Sequence, residues 1–443
     1  MLVCRNVSFS LFLVLEKLMQ YVWQHRLWMP QAMLTVDGRK IQVIDPGRLN
    51  TDAGPDFFNA KVKIDGEMWV GNIEIHVRAS DWFRHHHDTD SAYDNVILHV
   101  VEKDDMPVRR ANGEVIPQLC MPCSAQFSEE YSRLVGSAAS ELPCAQEISL
   151  LPSIYITDMI STLGYERLYS KVERIESLLS RLAGDWNEVC YVLLARSLGF
   201  GVNSDAFERL ALATPLKVLA KHSDSLTAIE AMLFGQSGLI DNAPDDDSYV
   251  ATLRNEYNFY AQKFGLKPPT TLGWKMARMR PQNFPHRRIA VLAAMIEGGF
   301  SYASKMMTAK SVDEVKQLFK VELSGYWSTR SSFNAPGGGR VTNGLSESSI
   351  DILIINAVVP MIYAYGRLQG DEVACNRAVE MLQALKPERN SVVELFTRAG
   401  IKCNDAFTSQ ALIELRRNYC ETRKCLYCRI GHRMLARHAR KRV

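Results

Sequence analysis

Two periodicities divide the chain. From Leu34 to Met121 apolar residues alternate with polar ones, the two-residue period of half-buried strands. The segments LTVDGRKIQVID and FFNAKVKIDGEMWVGNIEIHV each set an Asp-Gly pair, Asp37-Gly38 and Asp65-Gly66, between two such runs, which predicts two β-hairpins. DNVILHVVEKDD predicts another strand, and Gly113 a turn before EVIPQLCM. Ahead of the strands, Leu11 to Trp28 reads as an amphipathic helix. From Pro152 the apolar spacing changes to three and four, the helical period. It runs from YITDMISTLGYERLYSKVERIESLLSRLAG through SSIDILIINAVVPMIYAYGRL to SQALIELRRNYC. No fixed repeat length recurs, so a solenoid is not expected. The expected class is α+β: a mixed β-sheet domain with an N-terminal helix over 1–125, a Ser- and Ala-rich connector over 126–150, an all-helical domain over 151–402, and a Cys-rich basic segment over 403–443.

Composition narrows the class. The chain has 443 residues, 47% apolar and 23% charged, enough to bury a large core in two or three domains. No run of about 20 apolar residues occurs, which argues against a polytopic membrane protein. Val7 to Leu15 imitates a signal-peptide core. Ser8 and Ser10 interrupt it, however, and Glu16 and Lys17 follow where a small-residue cleavage site belongs. The expected location is therefore the cytoplasm. The net charge of +3 is unevenly spread: from Gly400 onward 11 basic residues stand against 3 acidic ones. That segment is either a solvated terminus or a contact for nucleic-acid phosphates.

The candidate chemistry begins on one predicted strand. Glu74 and His76 are two apart, so both side chains leave the same face, while Ile73, Ile75 and Val77 leave the other. Asp56 opens the preceding strand after Gly54-Pro55, and hairpin pairing brings it toward Glu74. Two carboxylates there suit Mg²⁺ or Mn²⁺, and an ion so held activates water and offsets charge on a phosphate. The plainer reading is a polar β-face in a binding domain. His85-His86-His87-Asp88, Asp90, Asp94 and His99 follow closely. Consecutive histidines cannot all point one way. One of them could join His76 and His99 in a metal or phosphate site, although a His alternating with Leu98 and Val100 also fits a hydrogen-bonded core residue.

A second candidate is Cys420-x4-Cys425-x2-Cys428-x3-His432, whose soft ligands and spacing suit a structural Zn²⁺. His432 or Cys403 would supply the fourth ligand, and an iron–sulfur cluster is the alternative. Cys120-Met121-Pro122-Cys123 is a weaker pair. RPQNFPHRR, residues 280–288, reads as a helix entry with Arg288 paired to an acid, or as a phosphate-binding helix start. Asn203 and Asp205 read as a helix N-cap region. Pro336 to Arg340 lacks the Gly-Lys-Ser/Thr ending of a phosphate loop and reads as a connector.

DPGRLNTDAGPDFFNAKVKIDG, GNIEIHV, HHHDTDSAYDNVILHVV, FGFGVNSDAFERLA, RPQNFPHRR, INAVVPMIYAYG and YCETRKCLYCRIG, in that order, resemble a bacterial family of unknown function, DUF2851, found mainly in Bacteroidetes-type bacteria. The resemblance runs from about Leu18 to Arg433 and implies no activity. The order helix, Pro55-Asp56, turn, Glu74-Ile75-His76, helix, strand also resembles the PD-(D/E)xK restriction-endonuclease-like core. This implies a metal-dependent nuclease with Asp56 and Glu74 on the ion and Glu16 as a further acid. His76 departs from that pattern, which has Lys, and so reads as a metal ligand or general base. The first expectation is thus a nuclease-like protein acting on nucleic acid. The alternatives are a non-enzymatic scaffold binding nucleic acid or protein, and a hydrolase of another phosphorylated or sugar substrate.

Overall fold

The structure is a computed structural model that describes residues 15–28, 33–121, 125–136, 142–270, 272–323, 325–335 and 343–440. The first residues of the expected N-terminal helix, Cys123 of the Cys120 pair, and the stretch 336–340 lie outside the described residues. The chain forms two compact units. The first comprises Met1–Met159, Leu395–Ile401 and Leu415–Val443; the second comprises Ile160–Glu394 and Lys402–Glu414. The boundary thus falls later than the expected connector. The basic segment from Leu415 belongs to the first unit instead of standing apart.

The first unit opens with helix α1, residues 15–24. Strands follow at β1 (Met33–Leu34), β2 (Lys40–Asp45), β3 (Arg48–Leu49), β4 (Phe57–Ile64) and β5 (Glu67–Arg78). A short helix α2 (Asp81–Arg84) then leads to β6 (Val96–Lys103) and β7 (Gln118–Cys120). The sheet order is β1-β2-β4-β5-β6-β7, with β3 paired beside β4. Both expected hairpins form. At the second, Asp65 (φ 51°) and Gly66 (φ 90°) take the two left-handed positions that a type I′ turn requires. β6 and β7 run parallel to β5 and to each other. The β5-to-β6 crossover carries α2 and the histidine-rich loop over one face of the sheet. Gly71 permits the close approach where β6 begins: a Cβ there would stand 2.5 Å from Ile97 Cγ2 and 2.6 Å from Asn95 O. Phe57, Val62, Ile73, Ile75, Leu98 and Val100 are buried within this unit. Helix α3 (Ala125–Gly136) packs against the C-terminal helix Arg429–Arg440.

The second unit is helical around one large core. Helix Trp186–Leu198 is buried from Glu188 to Ala195 without a break, so its apolar run shows little periodicity. Asp185 caps it, accepting from the Asn187 and Glu188 amides at 2.9 and 3.2 Å. Residues Glu347–Gln369 form a continuous helical stretch long and apolar enough to cross a membrane, but 78% of its apolar window is buried inside the protein, as in a core helix. Its π-helical turn, Ile354–Val358, carries Asn356, which accepts from Lys171 Nζ at 3.0 Å. Pro285 starts helix Pro285–Ile296, as expected of a helix entry. Arg288 differs from expectation. Its guanidinium meets Asn283 Oδ1 at 2.5 Å and Ser349 Oγ at 3.3 Å and lies over the Phe200 ring at 4.5 Å, in place of an acid. Asn203 occupies an N-cap position, but its side chain bridges to the Lys275 backbone instead, at 2.9 Å in both directions.

Glu230 is buried in this core and accepts from Tyr249 Oη at 2.7 Å. Burial is the main cause that lifts its pKa from 4.5 to about 7. The folded state therefore holds this proton more tightly than the unfolded chain. The contribution is fully present below about pH 4.5 and is lost as pH rises through about 7. In Glu230→Gln that dependence disappears. Chemical denaturation at pH 5 and pH 8 should show the wild type losing on the order of 3 kcal/mol more than the variant.

Candidate metal centre

β5 presents Glu74 and His76 on one face, and that face is covered. Glu74 is 5% exposed and His76 1%. Covering it requires that their polar atoms find partners, because a buried unpaired carboxylate or imidazole is costly. The partners come from three segments. The Asp56 amide donates to Glu74 Oε2 at 3.0 Å, and the Ile75 amide donates to Asp56 Oδ2 at 3.0 Å. Gln20 on α1 donates to Asp56 Oδ1 at 2.8 Å. Hairpin pairing thus brings Asp56 and Glu74 side by side. Both Asp56 oxygens are taken by Gln20 and Ile75, and Glu74 Oε1 faces the histidines.

Those histidines converge. Glu74 Oε1 lies 3.4 Å from His76 Nε2 and 3.3 Å from His87 Nε2, and His76 Nε2 lies 3.1 Å from His85 Nδ1. The three imidazole donor atoms all lie within 4.8 Å of one another. Donors about 2.0–2.1 Å from one tetrahedral ion stand about 3.3–3.4 Å apart, close to the Glu74–His76, Glu74–His87 and His76–His85 spacings. The crossover loop makes the convergence possible by splitting its histidines. His86 takes a left-handed conformation (φ 62°) and is exposed, while His85 and His87 on either side turn to His76. Trp82 anchors the loop at 0% exposure, with edge contacts to His87, His99 and Tyr93, and Tyr93 stacks on His87 at 3.7 Å.

A second layer orients the first. His99 Nε2 pairs with His76 Nδ1 at 2.9 Å. A cation on His76 Nε2 needs the tautomer with its proton on Nδ1, and His99 is placed to accept that proton. Burial, reinforced by the neighbouring histidines, holds His76 well below its ordinary pKa. Burial also depresses His85 and His87 and brings His99 to about 3. The imidazoles are therefore neutral at pH 7, the form that ligates a metal, and His76 does not supply the fixed positive charge of a Lys. Burial raises Glu74 to about 8, and Asp56 well above its usual range with help from Glu74. On α1, burial with Asp56 and Asp81 lifts Glu16 to about 7.

The comparisons with known proteins bear on this arrangement at the level of family. The family model described as protein of unknown function (DUF2851) matches residues 16–391. The chain belongs to that family. No curated protein and no solved structure matches it. The matched stretch of this DUF2851 chain holds Glu16, Gln20, Asp56, Glu74 and all four histidines of the centre, and it ends before Cys403.

The other expected ligands are distributed differently. Cys420, Cys425 and Cys428 are buried together in the first unit. His432 there turns its Nδ1 to Tyr21 Oη, and its ring packs 4.6 Å from that of His25. Cys403 belongs to the second unit, where its sulfur faces Asp405 O at 3.8 Å. Cys120 is exposed and faces Glu102 O at 3.1 Å. Sequence reasoning reached Glu74, His76 and the histidine cluster but missed Gln20. An i, i+4 polar pair, Glu16 and Gln20, on an otherwise apolar helix face was the available signal.

Trp82 is the packing support of the centre, and its Nε1 is buried without a hydrogen-bond partner among the described residues. Trp82→Ala should lower unfolding stability by about 3–5 kcal/mol, through a cavity beside His87 and His99. Trp82→Phe, which removes the unpaired donor and keeps most of the ring, should cost clearly less. Denaturant unfolding of the two variants measures the difference.

Proposed function

We propose that this protein is a metal-dependent hydrolase of nucleic-acid phosphodiesters, with its ion held by Glu74, His76, His85 and His87. The observation that carries the reading is the convergence of three imidazole nitrogens within 4.8 Å of one another, with Glu74 Oε1 3.4 Å from His76 Nε2 and 3.3 Å from His87 Nε2. Three imidazoles favour Zn²⁺ over Mn²⁺ and Mg²⁺, which prefer oxygen ligands. Bound there, an ion would activate water and polarise a phosphoryl oxygen.

The chain's own residues would do the remainder. Asp56 and Gln20 hold Glu74 in register, and His99 orients His76. Glu16, with a pKa near neutrality, is poised as a general base. His85, on the exposed side of the cluster, marks the direction of entry. Two features support nucleic acid as the substrate class. The element order and strand directions, from α1 through antiparallel β2, β4 and β5 to α2 and parallel β6, are those expected of a restriction-endonuclease-like core. The basic C-terminal segment would bind phosphates through counterion release. The deep burial of Glu74 and His76 favours one second reading, a structural ion in a non-enzymatic binding scaffold.

The test is to incubate purified protein with plasmid, single-stranded DNA and RNA in Mn²⁺ or Zn²⁺. Cleavage that falls by about 10–100-fold or more in Glu74→Gln and in His87→Ala supports the enzyme, because loss of a metal ligand or its orienting partner has effects of that order. Metal bound without cleavage of any substrate leaves the scaffold. A protein that binds no ion at this cluster removes both readings.

A further inference from the structure

A second cluster stands apart from the imidazole centre and uses softer atoms. Cys420 ends a π-helical turn, Arg416–Cys420. The chain then folds back on itself: the Arg423 amide donates to Cys420 O at 3.3 Å, and the Lys424 amide donates to Tyr419 O at 2.8 Å. Arg423 takes a left-handed conformation (φ 55°) in that reversal. Cys425 and Cys428 bracket a second tight turn closed by the Cys428 amide on Cys425 O at 3.4 Å. The His432 amide then donates to Cys428 O at 2.7 Å as the C-terminal helix begins. Gly431 is needed for this approach, since a Cβ there would stand 2.3 Å from Cys425 O. A Cys-x2-Cys pair on a tight turn is the local geometry of a metal knuckle.

The fourth thiol comes from elsewhere in the chain. Cys144 lies in a turn held by its own carbonyl, which accepts from the Glu147 and Ile148 amides at 3.1 and 3.0 Å. It is an electrostatic neighbour of Cys420, Cys425 and Cys428, all three of which are buried. Arg416 and Arg423 lie close enough to Cys420 and Cys425 respectively to offset negative charge. The four thiols form no disulfide.

We propose that Cys144, Cys420, Cys425 and Cys428 hold a structural Zn²⁺ that fastens the turn after α3 to the C-terminal helix. Each thiol releases its proton to solvent and binds as thiolate, giving an S₄ site of net charge −2 that the two arginines partly balance. Among the described residues the group with ligand atoms within 4.8 Å of one another is the imidazole trio, so the four sulfurs stand farther apart than in a loaded site. Binding would draw them inward onto bonds of about 2.3 Å. His432 and Cys403 are left out: the first faces Tyr21 and the second Asp405. The knuckle also positions the basic helix, on which Arg429 pairs with Asp158 and Arg433 lies over the Tyr155 ring at 3.9 Å. The site is independent of the proposed hydrolase centre and stands or falls separately from it.

The test uses the full chain carrying His85→Ala and His87→Ala, which silences the imidazole centre. Metal analysis should find about one Zn²⁺ per chain. Further Cys144→Ser should lose it, while Cys403→Ser and His432→Ala should keep it. Because Cys144→Ser could fail to fold, alkylation of the unmutated protein followed by mass mapping gives a second readout. Chelation of zinc should accelerate modification of Cys144 together with Cys420, Cys425 and Cys428, and leave Cys120 unchanged. Zinc retained in Cys144→Ser, loss in Cys403→Ser, Cys144 reacting at the same rate with and without chelator, or the brown absorption of an iron–sulfur cluster would each overturn the proposal.

Discussion

The first unit depends on one constraint: from Ile73 to Val77 β5 is buried on both faces while carrying Glu74 and His76 on one of them. A strand buried on both sides is ordinarily apolar throughout, as befits its parallel partner β6. Here the covered face holds a carboxylate and an imidazole, and the fold answers with a shell of polar partners from α1, from the start of β4, from the crossover loop and from β6 itself. Asp56 locks Glu74 through the backbone, Gln20 locks Asp56, and His99 locks His76. A plain apolar strand would cover the same surface without desolvating any charge.

The crossover decides where that chemistry can act. A parallel connection must leave the end of one strand and return beside it, so its loop lies across one face of the sheet. In this chain the loop is stapled by Trp82 and punctuated by a left-handed His86, and two of three consecutive histidines face the strand as a result. The same desolvation that suppresses charge on the imidazoles raises Glu74 and Glu16 toward neutrality. Near pH 7 the centre is a set of neutral imidazoles beside carboxyl groups whose titration burial has moved toward neutrality. The C-terminal segment follows another logic. Its basic residues are in part committed, Arg429 to Asp158, Arg433 to Tyr155 and Arg416 to Glu421, and the segment folds as part of the first unit.

Much of the scaffold was legible along the chain because it rests on local rules. The Asp65-Gly66 turn forms from two residues that tolerate positive φ, and Ile73, Ile75 and Val77 alternate with Glu74 and His76 by the geometry of a strand. The helical run of the second unit and the place of Asp56 beside Glu74 follow from the same short-range patterns. Arg288 was misread because an acid is the commonest partner of a buried cation, whereas here an amide, a hydroxyl and the Phe200 ring surround it.

By itself the sequence determined the two periodicities, the hairpins, the shared face of Glu74 and His76, and a dense supply of ligating residues. Tertiary structure alone decided that His85 and His87 turn to that face while His86 turns away. It also decided that Gln20 holds Asp56, and that Cys144 stands beside cysteines near the other end of the chain. The physical reason is range. Turns and strand faces are set by dihedral preferences within a few residues, whereas a ligand set is assembled by packing between segments distant in sequence.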